Sequence, residues 1–284
     1  MPETLVFSAV RDPETRGWAA GLAVVRRAVP QDVDMGEEML AGVRAWLDTS
    51  GRFLELRVAR TLRRGGARVQ PSFSYIDAIS GAQREGDVLA HFHWTGLQAV
   101  PCSLTAVVEA KSGDKYPWVA FYDKSQTRLG DLETWFYFAH GPFVGITEPL
   151  FELWVGMEPL DITQVATHTV AAHTKQTSLN PANDAVRQVL SAAVSVRQRY
   201  LERQSHDRVG LVLMPLIVTA APLVKCMLDS DGQVKLEEVD CFHVWGSTAG
   251  GERRRVYVLS ESGLPQFAAA LKSLARAADV TCSA

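Results

Sequence analysis

Between residues 51 and 111 the spacing of apolar positions changes from a helical to a strand-like period. Leu54, Val58, Ala59 and Leu62 fall on one helical face, with Arg57, Arg60, Arg63 and Arg64 on the other. That pattern predicts a helix over 52–64, ended by Gly65 and Gly66 and separated by the breaker 48–51 from an earlier helix over about 31–47. Three strand-like runs follow at 67–75, 84–94 and 103–111. Further along, the pattern predicts a long helix over 183–204 and strands at 209–219 and 223–228. Asp231-Gly232 reads as a hairpin turn into one strand over 233–245, followed by a strand at 254–260 and a helix at 265–277. Residues 116–154 are rich in aromatics, with no regular period.

Helix, three strands, helix, strand is an order that predicts an α/β (α+β) architecture, a mixed central sheet flanked by helices. No repeat interrupts it, so the expectation is a single elaborated domain over 1–284. Its core would lie at about 51–111 and 183–219, with an insertion over about 112–181 and a C-terminal hairpin and helix over 220–284. Hydrophobic residues at 47% and charged residues at 21% are those of an ordinary globular chain. The four cysteines form no CxxC pair, which argues against a disulfide framework or a zinc site. Acids and a proline near the first residue, and the absence of a long apolar run, predict a cytoplasmic protein without a membrane span. A net charge of −3 excludes a chain whose whole surface grips nucleic acid, but leaves local patches such as residues 60–68, 197–204 and 252–255.

The chemistry concentrates at the ends of two predicted strands. Side chains alternate along a strand, so Glu109 and Lys111 share one face while Leu104, Ala106, Val108 and Ala110 make the other wholly apolar. Charges ending a strand otherwise built for burial call for pairing or a metal. If the preceding strand brings Asp87 to that face, two carboxylates make half of an oxygen cage suited to Mg²⁺. Lys111 would then lie beside the nucleophilic water and the growing phosphoryl charge. Glu55 lands inside the apolar stripe of the 52–64 helix, where a lone acid needs a partner.

A glutamate in a first helix, then Gly86-Asp87, then Glu109-Ala110-Lys111 with its acid 22 residues beyond Asp87, resembles the PD-(D/E)xK nuclease superfamily. The resemblance implies a restriction-endonuclease-like fold and a Mg²⁺- or Mn²⁺-dependent nuclease. In it a metal-bound water attacks a phosphodiester, most naturally of DNA, with RNA as the other substrate, in restriction, defence or repair. It implies Asp87, Glu109 and the Ala110 carbonyl as metal ligands, Lys111 as the catalytic lysine and Glu55 as a supporting acid. A homodimer would serve if both strands of a duplex were cut. Glycine stands before Asp87 where the superfamily name has proline.

Other readings compete. Asp87, Glu109 and Lys111 could be surface charges at strand ends, with Glu55 paired to an arginine nearby, and the chain could be a nuclease-fold module that binds nucleic acid or assembles without turnover. An unrelated scaffold could bind a small ligand or a protein through the aromatic region, whose rings could also stack on bases. His91 and His93 share a strand face as zinc ligands would, but no third ligand is spaced to join them. Neither a nucleophile elbow nor a glycine-rich phosphate loop is present.

Overall fold

Gly65 and Gly66 end a helix whose stripe of Leu54, Val58, Ala59 and Leu62 is buried, as its spacing requires. The computed structural model describes residues 10–11, 18–19, 36–95, 101–113, 116–122, 137–139, 165–172, 180–203 and 210–283. The chain divides into two units, Met1–Ala45 and Trp46–Ala284. In the first, β1 (Val10–Arg11) pairs antiparallel with β2 (Trp18–Ala19), and helix α1 (Glu37–Thr49) begins. Only Ser50, in an extended conformation, separates α1 from α2 (Gly51–Arg64), so the predicted four-residue breaker shrinks to one residue.

The second unit is built on a large mixed sheet. Strands β3 (Arg68–Ile76), β4 (Gln83–Thr95) and β5 (Pro101–Lys111) form an antiparallel meander. The 112–181 region contributes β6 (Trp118–Phe121), β7 (Tyr137–Ala139) and β8 (His168–Ala171). Helix α3 (Pro181–Arg203) then crosses over to β9 (Gly210–Thr219), which runs parallel to β5 over its full length.

Every residue of β9 is buried, because helices cover both faces of the sheet. Such a strand reads as one apolar run without alternation. On one face α2 and the C-terminal helix α4 (Leu264–Ser283) pack on Val88, Ala90, Leu104, Ala106 and Val108. On the other, Val189, Ala192 and Ala193 of α3 cover Leu89, Val107, Leu213 and Ile217. Pro215 does not break β9. It lies between Leu213, the last partner of β7, and Leu216, the first partner of β13 (Arg253–Ser260), so its missing N–H falls at a gap in that edge.

The predicted strand over 233–245 is two strands in two sheets. β11 (Val234–Val239) pairs with β10 (Leu223–Leu228) in a second sheet ordered β11-β10-β6-β8, whereas β12 (Cys241–Ser247) pairs with β13 in the large one. Asp240 makes the switch: its carboxylate accepts the hydroxyls of Ser260 and Ser262, pinning the chain to the end of β13. The Asp231-Gly232 turn forms as expected, with Gly232 at φ +76°. Among the described residues no helix is long and apolar enough to cross a membrane.

Candidate active site

The β4–β5 ladder runs from Thr95↔Pro101 to Val88↔Val108, and one further step along that register sets Asp87 opposite Glu109 on a common face. Here the backbone ladder gives way to a side chain. Asp87 Oδ2 accepts the Ala110 amide at 2.6 Å, which locks its carboxyl to the end of β5.

Gly86 makes that approach feasible. A Cβ at this position would lie 2.4 Å from the Phe73 ring, so the ring packs directly on the glycine backbone. Ser72, opposite Asp87 on β3, has a φ of 49°, in the left-handed region that serine rarely adopts. The strained residue therefore lies on the strand flanking the site.

Lys111 Nζ donates to Glu109 Oε1 at 2.6 Å and to Gln188 Oε1 at 2.7 Å. Gln188 comes from the crossover helix α3, which carries it over the end of β5. The Lys111 and Glu109 side chains are 28% and 11% exposed, so the ammonium reaches solvent while its partner is nearly enclosed.

Glu55 enters from the first turns of α2. Its Oε1 and the Ser112 hydroxyl lie 3.9 and 3.8 Å from the position of a Cβ on Gly51, so the start of α2 abuts the end of β5. Glu55 Oε2 accepts from Arg52 at 3.1 Å, and the same guanidinium holds Glu85 through two bonds at 3.0 and 3.2 Å. Arg52 thus ties α2 to β4 beside the site.

Burial dominates the electrostatics of the two acids. Burial, then the charges of Glu109 and Glu55, push the Asp87 carboxyl up to about 7, against the opposing pull of the Ala110 amide and Lys111. Glu109 is also raised, burial outweighing the favourable Lys111 ammonium. The buried Tyr75 phenol is raised by burial first and by Glu109 next, so it too senses the acids.

Asp87, Glu109, Lys111 and Glu55 therefore gather at one end of the sheet, together with Gln188, which the sequence reading missed. A signal existed: Gln188 lies beside Ala185, Val186 and Val189 on the buried face of α3, a polar residue bordering an apolar stripe as Glu55 does. Among the described residues no three His, Cys, Asp or Glu side chains form a metal-binding group. Glu55 turns its carboxylate to Arg52. A hard cation would meet two carboxylates, a donor number at which Mg²⁺ completes its shell with water and phosphate oxygen. Burial is the first cause of both raised carboxyls, and the donor set of two carboxylates is one that suits such an ion.

His91 and His93 stack at 5.9 Å, and His91 Nδ1 bonds Thr105 Oγ1 at 2.9 Å. No third ligand joins them among the described residues. Of the aromatic stretch, Trp118 is core and Phe121 stacks on His168 at 4.7 Å. Trp135, Phe136, Phe143, Phe151 and Trp154 lie outside the described residues. No family model, curated protein or solved structure matches this chain.

Proposed function

We propose that this chain is a Mg²⁺- or Mn²⁺-dependent nuclease of restriction-endonuclease-like fold that hydrolyses phosphodiester bonds in DNA. One observation carries the reading: Asp87 and Glu109 oppose each other at the end of an antiparallel ladder, with Lys111 hydrogen-bonded into the pair. The succession α2-β3-β4-β5-α3-β9, a meander followed by a helical crossover to a parallel strand, supports the fold assignment.

When bound, the divalent cation supplies Lewis acidity to water and phosphate. Asp87 and Glu109 would hold it, with the carbonyl of Ala110, which follows Glu109 and gives its amide to Asp87, as the further ligand. Gln188 and Glu109 fix two of the three Lys111 N–H directions, leaving the third for a water or a phosphoryl oxygen. Held this way as an ammonium, Lys111 offers preorganised positive charge to the oxygens that become more negative during hydrolysis. Glu55, anchored by Arg52, supports the site from α2.

The test is cleavage of plasmid and linear duplex DNA by the full chain with Mg²⁺ or Mn²⁺. Asp87→Asn and Lys111→Ala should abolish cleavage with the circular-dichroism spectrum retained, and Asp87→Asn should remove calorimetric Mn²⁺ binding. Mn²⁺ binding without cleavage would favour the inactive nuclease-fold module, and neither binding nor cleavage would end the metal reading altogether.

A further inference from the structure

The far end of α2 is strongly basic. Arg60, Arg63 and Arg64 are exposed on its last turns, and Arg68 is exposed at the start of β3. Lys272 of α4 reaches the joining turn: a Cβ on Gly66 would lie 3.3 Å from its side-chain carbons. Arg276 is exposed one turn further along the same face of α4. None of these cations forms an ion pair or hydrogen bond with a side chain among the described residues. The next acid on α4, Asp279, accepts the Thr95 amide at 2.8 Å. In a chain of net charge −3, a cluster of cations that form no ion pair among the described residues is a concentration of field that composition alone does not produce.

We infer that this surface, formed by the end of α2 and the facing turn of α4, is where the chain grips the phosphate backbone of duplex DNA. The inference rests on the nuclease reading and adds the place where the substrate is held. Arg60 to Arg64 follow Glu55 by five to nine residues, about 10 Å along the helix axis. The arginines leave α2 on the face turned from Glu55, so this surface adds affinity for a duplex near the site without fixing which phosphate meets Asp87 and Glu109. Phosphate contacts of this kind set position and affinity without reading bases, so the grip is independent of sequence.

The experiment measures binding of the full chain to a fluorescein-labelled duplex by anisotropy, in EDTA so that nothing is cut, over about 50 to 200 mM KCl. Each phosphate contact contributes about 0.9 to the slope of log affinity against log salt, so Arg60→Ala/Arg63→Ala/Arg64→Ala should lower that slope by about 2 to 3. Affinity should fall by about tenfold or more, with Mn²⁺ binding and the melting temperature unchanged. Lys272→Ala/Arg276→Ala, on the other helix, should lower the slope by about 1 to 2. Wild-type slope and affinity in both variants would overturn the inference, whether or not the protein cleaves DNA. Patch-dependent binding without cleavage under Mg²⁺ or Mn²⁺ would uphold the surface while removing the nuclease reading. Binding to heparin but not to duplex DNA would overturn the surface as a DNA site.

Discussion

The two ends of α2 put charge to opposite uses. Near Gly51 the charged groups are partnered: Lys111 with the nearly enclosed Glu109 and with Gln188, Glu55 with Arg52, and Arg52 with the exposed Glu85. Near Arg64 the cations are exposed and face no acid among the described residues. A partnered, desolvated charge belongs to the fold as much as to chemistry, because removing one member strands the other. An exposed cation acts through its field and leaves the fold indifferent. The difference predicts that substitutions at the first end disturb stability and activity together, whereas those at the second change only encounters with polyanions.

The largest effect should come from Lys111→Met, which leaves the enclosed Glu109 without its ammonium. Breaking a buried pair costs about 3–5 kcal/mol, and the partial exposure of Lys111 brings the expected loss to about 2–3 kcal/mol. Glu109→Gln/Lys111→Met should recover most of it while remaining inactive. Urea unfolding measures both, and a single variant as stable as wild type would show that the pair at the strand end is merely a surface contact.

Next comes Gly86→Ala, which drives a methyl into the Phe73 ring that packs on the glycine. Phe73 is 2% exposed and has little room to retreat, so overpacking should cost about 1–3 kcal/mol. Thermal melting would detect it as a clear drop in midpoint. Adding Phe73→Leu should return part of the loss, and a neutral Gly86→Ala would mean that the ring moves freely.

Gly86 also marks where sequence reasoning reaches its limit. Elements governed by local period were legible: the stripe of α2, the meander, and the apolar face of β5 with Glu109 and Lys111 on its reverse. So was the need for Glu55 to find a partner, and its partner, Arg52 three residues away, is the nearby arginine of the competing reading. What depends on distant chain segments was hidden. The reason for glycine before Asp87 lies in a ring on β3, and Gln188 reaches Lys111 only because the crossover helix lands over β5. The split at Asp240 was hidden too, since its cause is a pair of serines at the end of β13.

A smaller effect probes the basic end through pH. Burial first, then His93 and Arg68, pull His91 down to about 4 from its ordinary 6.5. Arg68 is its cross-strand neighbour. Below 6.5 the unfolded chain takes up a proton that the folded chain refuses until about 4, so this group's stabilisation is complete above 6.5 and declines as pH falls through that window. Discounted for partial exposure, the decline is about 1–2 kcal/mol. His91→Gln should flatten that part of the stability profile, and Arg68→Ala should shift it by a fraction of that. A wild-type profile in His91→Gln would show that another group carries the acid sensitivity.

The smallest effect sharpens the comparison most. Arg60→Ala, Arg63→Ala and Arg64→Ala each remove an exposed charge with no partner among the described residues, so each should change unfolding free energy by no more than about 0.5 kcal/mol. Truncation costs no buried contact, and alanine's better helix propensity offsets the packing lost from the arginine stems. Added salt should not destabilise the wild type, because like charges at helical spacing repel and screening relieves them. A loss above about 1 kcal/mol in any one variant would mean that the arginine packs into the fold rather than facing outward. The two ends of α2 would then no longer differ in how they hold their charges.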